Sequence, residues 1–127
     1  MARVRPSDER PKNTAREATA VARAWLDLIH SGRWASSWAV AGPALKETID
    51  QADWQAALRA LRVSLGRCYS RTLRGQTTLE SFPGVPPGPY AVIHFASGFE
   101  ERDGVIETVA TCLGDDGHWH PTAYFVG

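Results

Sequence analysis

The sequence predicts an α+β domain in which N-terminal helices pack on a four-stranded antiparallel sheet. Three observations carry this. From Ala18 to Leu65 apolar residues recur at helical spacing. From Cys68 onward the pattern shortens toward alternation, with Thr, Val, Ile and aromatic residues. Two Asp-Gly pairs, Asp103-Gly104 and Asp116-Gly117, punctuate the second half as hairpin turns.

Residues 1–13 read as a disordered polar tail and residues 14–127 as one domain. The first helix opens at Thr14, with Glu17 reaching back in a capping box. Ala18, Val21, Ala22, Trp25, Leu28 and Ile29 form its apolar stripe, and Gly32 fits the position just past its end. A short second helix carries Trp34 and Trp38 and stops at Gly42-Pro43, where Pro43 can open another turn. Asp50 caps a third helix with Asp53 in its first turn and Trp54, Ala57, Leu58, Leu61 and Leu65 as its stripe, ending at Gly66. Strands are expected over 68–81, 90–100, 105–113 and 119–126, with the proline-rich "FPGVPPGPY" before the second.

Composition narrows the function classes. Hydrophobic residues make up 43% of the 127 and charged residues 22%, which suits a folded domain. The formal net charge is +0, so the basic excess that nucleic-acid binding needs is absent. No apolar run is long enough for a membrane span, and "MARVRPSDERPKNT" has no apolar core of a signal peptide. A cytoplasmic location is expected, with export by a signal that this chain does not carry as the alternative. Cys68 and Cys112 do not make a disulfide framework and read as small buried hydrophobes.

Register follows if each Asp-Gly is a two-residue loop. Phe99 then faces Thr108 and Thr108 faces Phe125; Ser97, Ala110 and Ala123 form the next row, and Phe95, Cys112 and Pro121 the one after. Ile93 and Ile106 share this face, which should pack on the helices. Its small middle row leaves room either for a helix tryptophan (Trp25, Trp38 or Trp54) or for a ligand. The candidate ligand pocket is therefore Trp25, Trp38, Tyr69, Phe95, Ser97, Phe99, Thr108, Ala110, Ala123 and Phe125. The opposite face carries Val92, His94, Ala96, Val109, Thr111 and Tyr124, too apolar for open water; these six are the candidate interface of a homodimer. The same register sets Glu100 opposite Glu107, an unfavourable like-charge pair unless the register slips or Arg102 intervenes.

No metal and no cofactor are expected. His94, His118 and His120 fall on the second face, with His94 and His120 roughly 9–10 Å apart across Leu113, too far for shared ligation at about 2 Å. His30 is expected at the C-terminal dipole of its helix. No catalytic residue is assigned either: the expected core face of the last three strands bears no carboxylate, Asp27 points to solvent, and Cys112 has no basic partner on its face.

The segments "AWLDLIHSGRWASSW", "DWQAALRALRVSLGRCYSRTL", "SFPGVPPGPYAVIHFASGF" and "ETVATCLGDDGHWHPTAYFVG" occur in an order and spacing that resembles the domain-of-unknown-function 4019 family. His120 stands where that family usually has a basic residue, and Ala123 where a glycine is common. The resemblance implies a cystatin-like or nuclear-transport-factor-like (SnoaL-type) cone, a curved sheet wrapped around helices, as in ketosteroid isomerase, scytalone dehydratase and polyketide cyclases. It implies a fold and not a reaction. The resulting expectation is a non-catalytic homodimer able to bind a small apolar molecule, without nucleic-acid or membrane partners. The alternatives are a small-molecule isomerase, dehydratase or hydrolase using the pocket, and a protein-interaction module.

Overall fold

A computed structural model describes the backbone of residues 6–80 and 88–127 and the side chains of residues 15–80 and 88–127. Helices α1 (Pro6–His30), α2 (Trp34–Ala39), α3 (Pro43–Thr48) and α4 (Gln51–Leu65) precede strands β1 (Cys68–Leu79), β2 (Tyr90–Phe99), β3 (Arg102–Leu113) and β4 (Trp119–Val126). The order of helices then strands agrees with the expected α+β class. Helix α1 starts at Pro6 rather than at Thr14; proline is a favoured first helical residue because its missing N–H has no helical partner there. Most of the proline-rich loop lies outside the described residues. The chain reversals sit where glycine permits them, at Gly32 and Gly66, with φ of 84° and 75°. Asp50 caps α4 by accepting from the Asp53 backbone N–H at 2.8 Å.

The expected cone does not form. The sheet is an open antiparallel meander in the order β1-β2-β3-β4, neither curled nor closed, so β1 and β4 are its two edges. Four strands are too few to close on themselves, and the helices cover a single face. One stripe of α1 (Ala18, Ala22, Trp25, Leu26, Ile29) is buried against Ala91, Ile93, Phe95, Val109 and Trp119 of the sheet. Trp25 takes the centre. It stacks on Trp54 of α4 with ring centroids 5.6 Å apart, meets Tyr124 edge-on, and donates its indole N–H to the Ser37 carbonyl at 2.8 Å. Trp54 donates to the Ser37 hydroxyl at 2.9 Å, so one buried serine satisfies two tryptophans. Trp38 is partly buried and donates to the Ile49 carbonyl. Among the described residues, no helix is long and apolar enough to cross a membrane.

The β2–β3 register differs from the expected one. The reversal falls at Glu100-Glu101, with Phe99 paired to Arg102. It is pinned there because the Glu100 and Glu101 backbone N–H groups donate to the Arg67 and Leu65 carbonyls at the end of α4. Asp103-Gly104 lies inside β3, in a bulge where Ser97 pairs with Val105 and one extra residue is taken up. Gly104 there has φ of 68°, the left-handed conformation that such a bulge requires. Paired residue numbers now sum to 202 over most of the hairpin, against the 207 expected for a turn at Asp103-Gly104. That shift of five, an odd number, exchanges the two faces of β3. The expected pairs Thr108–Phe125 and Ala110–Ala123 do form, so β4 is exchanged along with β3. Nearer the second hairpin, Cys112 pairs with His120 rather than Pro121 across a further bulge.

Candidate functional site

The exchange of faces puts a carboxylate in the interior. Glu107 lies between Ile106 and Thr108 on β3, paired to Phe95 and Val126, and its side chain is 0% exposed. Four side chains from four elements surround it. His30 Nε2, from the last turn of α1, is 2.6 Å from Oε2. The Tyr124 hydroxyl of β4 donates to the same oxygen. Ser97 Oγ of β2 donates to Oε1 at 2.6 Å, and Arg71 Nε of β1 approaches Oε1 at 3.3 Å. Every partner can donate, which suits an ionised carboxylate. Burial alone would push this carboxyl up; the hydrogen bond and charge of His30, then the Ser97 and Tyr124 hydroxyls, outweigh it and hold the group at about 2. Burial, and then the adjacent Glu107 charge, push the Tyr124 phenol above its ordinary value, so Tyr124 stays a donor.

The bulges in β1 complete the cluster. Cys68 and Arg71 are three residues apart, and on a regular strand an odd spacing places two side chains on opposite faces. The bulge between Cys68 and Ser70 restores the parity, and both then face Glu107. Arg71 reaches on to Asp27 at 3.4 Å and to Cys68 Sγ at 3.7 Å. Burial pushes the Cys68 thiol up and the Arg71 charge opposes this. Asp27, His30, Ser31, Cys68, Tyr69, Ser70 and Arg71 line an open groove of about 420 Å³ above the carboxylate.

Ligand atoms of His30, Cys68 and Glu107 lie within 4.8 Å of one another, a nitrogen–sulfur–oxygen set of the kind that holds zinc. The fit is incomplete as the residues stand. Glu107 already accepts four hydrogen bonds, and the Arg71 guanidinium occupies the side where a cation would approach both Cys68 and Glu107. A metal would have to displace Arg71 toward Asp27.

The expected site residues divide between the two faces. Trp25, Phe95, Ser97 and Phe99 lie between sheet and helices, all at most 3% exposed. Thr108, Ala110, Ala123 and Phe125 lie on the face away from the helices, and Phe125 is 56% exposed. Tyr69 is 62% exposed; its ring crosses Gly98, where a Cβ would come within 2.7 Å of it, and its hydroxyl bonds Asp103. The ten expected pocket residues thus do not surround one space. The expected dimer face divides in the same way. Val92, His94 and Ala96 stay on the helix-free face, whereas Val109, Thr111 and Tyr124 turn inward, the first two 0% exposed. His94 bonds Thr108 at 2.9 Å and His120 bonds Asp116, and neither enters the donor set around Glu107. His30, expected at its helix dipole, instead grips Glu107. Asp27 is solvent-facing as expected, 75% exposed, yet serves Arg71.

Glu107, Arg71 and Cys68 were not among the candidate residues. One signal pointed to Glu107: a lone carboxylate inside the apolar run "VIETVATCL", where an acid is rarely buried without partners.

A family model covers residues 21–124, most of the chain, and spans every residue of this cluster. The chain belongs to the DUF4019 family. That family is described as a protein of unknown function, so membership assigns no reaction to the DUF4019 cluster. No curated protein and no solved structure matches the chain.

Proposed function

We propose that this DUF4019 domain binds a small polar molecule, one bearing a carbonyl or carboxylate, in the groove between α1 and β1, and moves a proton on it through His30. This is the chemistry of a small-molecule isomerase or dehydratase. The observation that carries the reading is the buried Glu107–His30 pair, 2.6 Å apart, at the base of an open groove that His30 and Arg71 both line. Glu107 can only accept, so the imidazole proton belongs on Nε2 and Nδ1 is left as the base. The fixed anion stabilises the imidazolium that forms when Nδ1 takes a proton, and it holds the ring in one orientation. Arg71 supplies the positive charge that faces a bound oxyanion, with Asp27 steadying it.

The test is proton exchange. Wild type, H30N and E107Q are incubated in deuterated buffer with a panel of enolisable keto acids, and loss of the α-proton signal is followed by NMR. Exchange in the wild type, lost in H30N with the melting temperature retained, supports the reading. Binding without exchange would return the domain to the non-catalytic class. Exchange abolished by a chelator and restored by zinc would move the chemistry to a metal at His30, Cys68 and Glu107.

Self-association is a second reading. It is favoured by the apolar helix-free face around Val92, Ala96, Ala110 and the exposed Phe125. Light scattering of the wild type against F125E tests it; a monomer in both would end it.

A further inference from the structure

A second groove runs between α1 and β1, further toward the N-terminal part of α1. It has a volume of about 750 Å³, within the range of small-molecule sites. Its wall on α1 is one helical stripe that includes Arg16, Thr19, Ala20 and Arg23, spaced to face the same way. Its wall on the sheet includes Leu73, a large apolar side chain 36% exposed, and the buried Ala91. Two cations therefore stand beside a wall in which Leu73 and Ala91 are apolar and Gln76, Thr77 and Thr78 are polar and uncharged, and among the described residues no lining residue is acidic. The chain as a whole carries a formal net charge of +0, so this local excess is not a share of a general one.

Among the described residues neither Arg16 nor Arg23 has a carboxylate partner. The Arg23 guanidinium carbon lies 5.1 Å from the centre of the Phe95 ring, a cation–π contact that leaves its charge without an anion. Thr19 bonds the Ala15 carbonyl and Gln76, and closes the contact between α1 and β1. Arginine pairs with carboxylates through two parallel N–H donors, while an apolar trough prefers an alkyl chain.

We infer that this groove binds a free fatty-acid-like carboxylate, with the chain along Leu73 and Ala91 and the head group at Arg16 and Arg23. The site does not use His30 or Glu107 and stands independently of the proton-transfer reading.

The experiment is titration of the full chain with decanoate below its micelle concentration, followed by calorimetry and by amide NMR shifts. Saturable binding is expected, with shifts at residues 16–23, 73–78 and 91. Decanol, which lacks the charge, and acetate, which lacks the chain, should each bind roughly tenfold more weakly or worse, and R16Q/R23Q should weaken decanoate by roughly tenfold. L73D should abolish binding; both variants alter partly exposed positions, and a thermal melt checks that they fold. H30N should bind decanoate as the wild type does. Binding that does not saturate, that is unchanged in R16Q/R23Q, or that occurs only on anionic phospholipid vesicles would overturn the inference.

Discussion

Replacing Glu107 with glutamine should remove a specific part of the domain's acid sensitivity. A carboxyl held at about 2 in the folded protein, against 4.5 when free, contributes about 3 kcal/mol to folding at about 1.4 kcal/mol per pH unit. Because the folded value is the lower one, the contribution is fully present above about pH 5 and is lost as pH falls toward 2. Worked through the linkage relation, about 2 kcal/mol is gone by pH 3 and about 3 kcal/mol by pH 2. Glutamine keeps the shape of the side chain. Its amide oxygen can accept from Ser97 and Arg71, and its amide N–H groups can donate to the Tyr124 oxygen and to a His30 ring that has moved its proton to Nδ1. The variant should therefore fold, less stable than wild type by a few kcal/mol at pH 7 because Arg71 loses its buried counter-charge.

The assay is urea denaturation of both proteins at intervals from pH 3 to pH 7, compared as a difference, so that the remaining carboxylates cancel. The stability gap between wild type and E107Q should close by about 2 kcal/mol as pH falls from 5 to 3. A gap independent of pH would mean that Glu107 is not ionised in a ring of donors. The acid–base assignment of His30 would then fall with it.

Trp25→Ala should cost about 3–5 kcal/mol by urea denaturation, since it opens a cavity against Trp54 and Tyr124 and orphans the Ser37 carbonyl; a cost below 1 kcal/mol would show that the tryptophan does not fill the centre. Tyr124→Phe removes one donor from Glu107 and should cost about 2 kcal/mol at pH 7. It should also move the acid-loss window upward in pH, seen in the same denaturation series. Gly104→Ala meets no atom within 4 Å but needs φ of 68°, so its cost should be the backbone term alone, about 1–2 kcal/mol, measured as a lower melting temperature. An alanine variant as stable as wild type would count against the bulge.

Much of the scaffold is legible because it depends on local chemistry. The Asp50 cap, the glycines that end α1 and α4, the tryptophan stripe and the four strands are each specified within a few residues. Hidden from such signals is the hydrogen bonding of Glu100 and Glu101 to the end of α4, a contact between distant segments that fixes the turn. Asp-Gly favours a tight hairpin, but it equally suits a bulge that needs one left-handed residue. With the reversal held at Glu100-Glu101, Asp103-Gly104 takes the second role. The β2 face is read the same way under either assignment, which is why Phe95, Ser97 and Phe99 fall between sheet and helices as expected, while the residues of β3 and β4 turn over.

The site was lost through that parity, and the sequence contains a trace of the conflict. A two-residue turn at Asp103-Gly104 sets two glutamates face to face. The observed turn separates them, giving Glu100 the Arg67 backbone N–H and Glu107 its four donors. Burying a carboxylate is costly unless it is paired, so the folded state must collect His30, Ser97, Arg71 and Tyr124 from α1, β2, β1 and β4 at once. None of these partners lies within nine residues of Glu107, so no local pattern can reveal the set. For stability alone, a well-packed apolar side chain in place of Glu107 would serve as well or better. The anion instead fixes the ring of His30 and the fork of Arg71 at the base of a groove open to solvent. This makes the cluster, and not the tryptophan-filled interior, the place on which the proposed proton transfer rests.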